Sequence, residues 1–230
     1  LNDDFSSLVT AVRYGRRVFA NLRKAIVFVV AVHVPIVGLS IVPVLLGWPM
    51  LLMPVHILFL QLIIDPACSV VFEAEPLEAD AMTAKPRRPG VRLFDAAVLT
   101  RGLWQGAGLL AILLALYAGT RFTTNSDDMA RALTFSVLVL SNLGLIHVNR
   151  SWTHASWRSP GDGSAHFRWI SLATLALLGA ALGVPEIRRL FAFAALPPVL
   201  LLSGVAVAML SLLWFEGVKW GLGRHPLRAR

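Results

Sequence analysis

The sequence predicts an all-α fold, a polytopic membrane helix bundle of about six transmembrane helices. Three observations point there. Of 230 residues, 57% are hydrophobic and only 15% charged, against about 45–50% and about 25% in soluble domains, and the mean hydropathy is +0.69. The apolar residues gather into six long runs, near 25–47, 50–72, 102–119, 132–149, 168–185 and 191–215, close to the roughly 20 residues that a helical span needs. The Lys and Arg residues fall between the runs, mostly on alternate connectors.

The elements follow in order. Residues 1–24 read as a lead-in, with Asp3, Asp4 and Ser6 as helix-entry residues and an apolar stripe (Val9, Val12, Phe19, Ala20) beside a basic one (Arg13, Arg16, Arg17, Arg23, Lys24). That pattern suits a helix lying on a membrane surface. The six spans occupy 25–215, and a basic tail covers 216–230. Trp48-Pro49 supplies a tight turn between the first two spans. Polar connectors fill 73–101, 120–131, 150–167 and 186–190. The fifth run is short and stops at Pro185. No internal repeat is visible.

Charge orients the bundle. With a cytoplasmic N-terminus, 17 of the 21 Lys and Arg residues lie on the cytoplasmic side; the other four are Arg121, Arg131, Arg188 and Arg189. This positive-inside bias puts both termini in the cytoplasm of a plasma (inner) membrane. The net charge of +8 therefore fits topology and anionic headgroups, and nucleic acid is not an expected partner; the lipid bilayer is. Cys68 is the single cysteine, so neither an internal disulfide nor a zinc-ligand spacing can form. No signal peptide precedes the first run, and the chain begins with Leu1, which suggests a piece of a longer protein.

The second span carries the strongest chemical signal. It reads Leu60-Gln61-Leu62-Ile63-Ile64-Asp65-Pro66-Ala67-Cys68. A mid-span carboxylate costs about 2.5–3.5 kcal/mol to insert and usually faces a partner or a wet cavity. Pro66 has no N–H for the Leu62 carbonyl, which is left free. Gln61, four residues earlier, shares a face with Asp65. An amide oxygen, a carboxylate and a freed carbonyl are the ingredients of a cation site; a structural interhelical hydrogen bond is the plainer reading. In the first span, Pro35 frees the Ala31 carbonyl in the same way, and His33 lies close by. His33 is roughly 14 Å past Lys24 and Asp65 roughly 11 Å before Phe72 at 1.5 Å per residue, so both reach mid-bilayer depth. Cys68 could face the same site but suits packing better. His56 reads as packing, His147 as a further lining candidate beside Ser141, Asn142 and Asn149, and Arg101 as an interfacial residue snorkelling to headgroups.

There is no Asp-Lys-Thr-Gly motif, no Gly-rich phosphate loop and no catalytic side-chain arrangement in the sequence. The longest connector, 73–101, is too short for a nucleotide-binding domain.

Two stretches carry a family resemblance. Asp3-Asp4-Phe5 followed by Gly15-Arg16-Arg17 and Asn21-Leu22-Arg23-Lys24 resembles the join between the phosphorylation domain and the fifth membrane helix of P-type cation ATPases. Pro54 to Asp65 is similar to that family's sixth helix, and Phe72-Glu73-Ala74-Glu75-Pro76 with Met82 and Lys85-Pro86-Arg87-Arg88-Pro89 to the loop that follows. Residues 93–230 match mainly by helix count, with Asn142 and Asn149-Arg150-Ser151 weakly like the eighth helix.

The resemblance implies a cation-translocation domain supplied without its phosphorylation, nucleotide-binding and actuator domains, with ATP and Mg as cofactors of the full-length parent only. In the calcium-pump branch the sixth-helix Asp coordinates the ion, and Asp65 falls on it; Gln61 and His33 fall where that branch has Asn ligands. Ile36 falls on a coordinating Glu, Ile64 on a coordinating Thr, and Pro66 replaces a Gly. Calcium takes 6–8 oxygen ligands and this set is poorer, so a proton, a monovalent cation or a transition metal stays open as the transported cation. The alternatives are a stand-alone channel or secondary transporter, which often shows inverted repeats, and a non-catalytic membrane remnant.

Overall fold

The computed structural model describes residues 5–77, 81–83, 93–150, 152 and 164–223. Asp3, Asp4, the basic run 85–89, Arg92, Ser151, Arg158 and the tail from 224 lie outside them. The described residues form seven helices: α1 Phe5–Leu45, α2 Pro54–Pro66, α3 Ala96–Thr124, α4 Asp127–Asn149, α5 Ser164–Gly183, α6 Pro185–Leu190 and α7 Pro198–Gly223. A π-helical turn, Ala67–Phe72, continues α2. Six helices are long and apolar enough to cross a membrane, and α6 is the exception.

The boundaries have local causes. α1 is one unbroken helix of 41 residues, with no joint where the sequence suggests a surface-lying lead-in. The polar stretch 120–131 shrinks to a two-residue turn. Asn125 adopts a left-handed conformation (φ 50°) and caps α3, while the Ser126 hydroxyl accepts the Met129 N–H to start α4. Pro185 opens α6 within the connector before α7. α7 starts at Pro198 and continues to Gly223, so Glu216 and Lys219, expected in a tail, lie inside it.

α4 is the central element. Of its most apolar window, 89% is buried, against 17–44% for the other spans. It packs on α1, α3, α5 and α7. α1 meets α3 over the most extensive interface, made possible by Gly102 and Gly106. A Cβ on Gly106 would stand 2.7 Å from the Ala31 carbonyl oxygen, and one on Gly102 would stand 3.0 Å from that of Val27. Small residues four apart allow this backbone approach.

Each end of the bundle is tied by side chains. At the turn joining α1 to α2, Arg131 of α4 donates to the carbonyls of Met50 (3.2 and 3.3 Å) and Ala192 (2.8 Å) and to Asp128. His56 lies fully buried there among Phe135, Phe191 and Phe193. Its Nδ1 accepts the Met53 N–H, and its Nε2 donates to the Phe191 carbonyl at 3.1 Å. At the opposite end, Arg17 and Asn21 of α1 donate to the carbonyls of Glu73, Ala74 and Glu75. Arg150, at the end of α4, holds the Glu75 carboxylate with two hydrogen bonds of 2.8 and 3.3 Å.

Candidate cation site

Asp65 sits at the last turn of α2, immediately before the π turn. Pro66 cannot bond Leu62, and the next N–H, that of Ala67, goes to the carbonyls of Ile63 and Ile64. The Leu62 carbonyl is thus without either of those two donors, as the sequence pattern anticipates. The Ser69 hydroxyl donates to the Asp65 carbonyl at 2.8 Å, which supports the backbone where α-helix gives way to π-helix, a feature frequent at functional sites. The Asp65 carboxylate is exposed and makes no ion pair among the described residues.

Leu58 (73% exposed), Leu62 (59% exposed), Asp65 and Ser69 form one outward stripe on α2. Gln61 borders it and is half-buried. His33 belongs to a similar stripe on α1, between Val29 and Val37, both exposed. Its Nδ1 lies 2.8 Å from the Val29 carbonyl. The N–H therefore sits on Nδ1 and donates there, which leaves the Nε2 lone pair available as a ligand. His33 is two residues from Ala31, roughly 200° around the helix, so it faces away from α3.

The structure does not gather these three side chains into a closed coordination shell. No hydrogen bond joins Asp65, Gln61 and His33 among the described residues, and no group of three or more His, Cys, Asp or Glu side chains converges on one point there. The Ala31 carbonyl freed by Pro35 does not serve this face either, because it points at Gly106 of α3. What the arrangement offers is half a site: one carboxylate, one amide, one imidazole nitrogen and one main-chain oxygen on two open helix faces.

The other polar positions go elsewhere. Cys68 lines a cavity of about 450 Å³ between the start of α1 and the π turn, with Tyr14, Arg17, Asn21, Phe72 and Glu73. His147 stacks on Phe167 at 5.5 Å. Asn142 and Ser141 are fully buried on α4, and the Asn142 amide has no hydrogen-bond partner for its nitrogen or its oxygen. Their signal in the sequence was polarity in mid-span, but only the packing shows them unsatisfied. Arg101 is buried and does not snorkel.

A family model described as "Cation transporting ATPase, C-terminus" matches residues 49–221. The chain belongs to this cation transporting ATPase family. It is thus an integral, multi-pass membrane domain of the P-type cation-transporting kind. Calcium-transporting ATPase 1 of Bacillus cereus is 32% identical over 162 residues, 64% of this chain and 18% of that protein. The calcium-transporting ATPase of Bacillus subtilis is 26% identical over 204 residues, 86% of this chain and 22% of that protein. Potassium-transporting ATPase alpha chain 2 of Oryctolagus cuniculus is 30% identical over 132 residues, 55% of this chain and 12% of that protein. The chain thus spans about a fifth or less of the length of these relatives.

Proposed function

We propose that this family member is the cation-translocation domain of an ATP-driven pump, with Asp65 as the central ligand and Gln61 and His33 as its helpers. The observation that carries this reading is the Asp65 carboxylate itself. It is exposed, unpaired among the described residues and set just before a proline break and a π turn, on a stripe otherwise formed by Leu58, Leu62 and Ser69. Glu216, the other carboxylate well inside a helix, is 9% exposed with Lys219 at 3.7 Å. The open stripes on α1 and α2 suit coverage by further membrane helices belonging to the rest of the pump. The exposed apolar residues at the start of α1 (Phe5, Leu8, Val9, Val12) suit contact with the domains that would supply ATP and Mg.

Relatives of similar identity are named for calcium and for potassium, so identity does not choose the ion. Calcium would need oxygens beyond those of Asp65, Gln61 and Leu62. The test is ion-stimulated phosphorylation of the complete protein across calcium, potassium, manganese and zinc. Asp65→Asn should abolish stimulation by the transported ion while leaving expression and melting temperature unchanged. His33→Ala should shift the apparent ion affinity. Wild-type ion dependence in Asp65→Asn would overturn the assignment. Orientation is tested by labelling a Gly90→Cys variant in a Cys68→Ala background. Labelling only after permeabilisation supports a cytoplasmic 73–101 connector.

A further inference from the structure

Arg101 is 3% exposed, and its Nη1 has neither solvent contact nor a hydrogen-bond partner. No carboxylate pairs with it among the described residues. Its close neighbour is the face of Trp152, 4.6 Å from Cζ to the ring centroid. A guanidinium carries five donors and stays charged at every accessible pH. A ring face offsets part of the cost of burying it, but a buried cation ordinarily has an anion.

The surroundings repeat the deficit. Arg23 of α1 reaches the same ring at 6.0 Å. One of its nitrogens bonds Asp95, while its Nε is buried and unpartnered. Asp95 is also engaged by the Val98 N–H at 2.8 Å. One turn deeper than Arg101, the Gln105 Nε2 is buried without a partner, although its Oε1 accepts from Asn149 at 3.0 Å. Arg23, Arg101 and Gln105 thus leave buried N–H donors and no buried acceptor unpaired. Of the two guanidinium groups, only that of Arg23 has a carboxylate among the described residues, that of Asp95. What is missing is an acceptor with negative charge.

We infer that Arg101, with Arg23 and Gln105, forms a site for a phosphate-type oxyanion, the headgroup phosphate of an anionic phospholipid in the leaflet at the N-terminal end of α3. Arginine forks match phosphate oxygens in geometry as well as charge. Depth favours a lipid source, because Arg101 lies five residues past Ala96, roughly 8 Å along the helix, at the boundary of headgroups and hydrocarbon. The cluster opens at Asp95, whose side chain is 31% exposed. This site is independent of the cation ligands.

The experiment uses the full chain, purified and delipidated in a neutral detergent. Its melting temperature is followed with phosphatidylglycerol, phosphatidylcholine or inorganic phosphate. Phosphatidylglycerol is expected to raise the wild-type Tm by about 3 °C or more. The rise is expected to vanish in Arg101→Met and to persist in Arg189→Gln, an exposed control. An equal rise with inorganic phosphate, also lost in Arg101→Met, would support the oxyanion site and name the soluble ion as its source. A rise that survives Arg101→Met, or a wild type that responds alike to all three probes, would overturn the site. Should Arg101→Met not fold, Gln105→Leu replaces it, and native mass spectrometry of the wild type reads retained phosphatidylglycerol. Loss of that retention in Gln105→Leu supports the site, and a wild type retaining no anionic lipid sinks it.

Discussion

Arg131 and Arg101 sit toward opposite ends of the bundle and are almost equally buried, 5% and 3% exposed. Arg131 makes four hydrogen bonds, to two main-chain carbonyls and to Asp128. Among the described residues, Arg101 has only an aromatic face. Equal burial with unequal satisfaction separates two roles for one residue type. The first arginine ties the α1–α2 turn and the α6–α7 connector to the central helix. The second holds a charge that the described residues leave uncompensated. Arg150 sharpens the contrast, since it lies at the same end as Arg101 yet has the Glu75 carboxylate in a bidentate grip.

Four substitutions test that contrast, in decreasing order of expected effect. Glu75→Gln would leave Arg150 as a second buried arginine without an anion. The loss should approach the roughly 3–5 kcal/mol typical of breaking a buried pair, read as thermal or denaturant stability of the purified chain. Arg131→Met should cost about 2–4 kcal/mol, because it strands the Met50 and Ala192 carbonyls. Ala192 also sits at φ 47°, a conformation that this contact helps to hold. An Arg131→Met protein as stable as wild type would show that those carbonyls find water.

Gly106→Val probes the frame between the two ends. Its side chain would meet the Ala31 carbonyl and Val34, and forcing α1 from α3 should cost about 1–3 kcal/mol. Arg101→Met is expected to have the smallest effect in lipid-free detergent, within about 1 kcal/mol and in the stabilising direction, since replacing an uncompensated charge by a packed apolar chain removes a desolvation cost. A loss as large as that of Arg131→Met would mean that Arg101 already has a partner.

Much of the architecture was legible in the residues, for identifiable reasons. A bilayer demands long apolar runs, and composition alone displays them, so six spans could be counted from hydropathy. The break after Asp65 was readable because proline lacks an N–H wherever it stands. Boundaries were less legible. The connector 120–131 looked long because its residues are polar, yet the caps at Asn125 and Ser126 let helix occupy nearly all of it. Arg101 looked free to snorkel because hydropathy records only that a charge lies near the end of a run, not whether its neighbours cover it.

Local chemistry along the chain was sufficient for the fold class, the number of spans, the charge asymmetry and the candidacy of Asp65, Gln61 and His33, because each follows from a residue's own cost in lipid or from its spacing on one helix. Which faces meet was settled between helices. The Gly102–Gly106 approach turned the Ala31 carbonyl, freed by Pro35, toward α3, whereas Pro66 frees the Leu62 carbonyl three residues before Asp65. The same packing joined Arg150 to Glu75 across 75 positions and left Arg101 without an anion among the described residues. Satisfaction of a buried charge is a property of the partners brought to it, and no stretch of sequence contains those partners in advance.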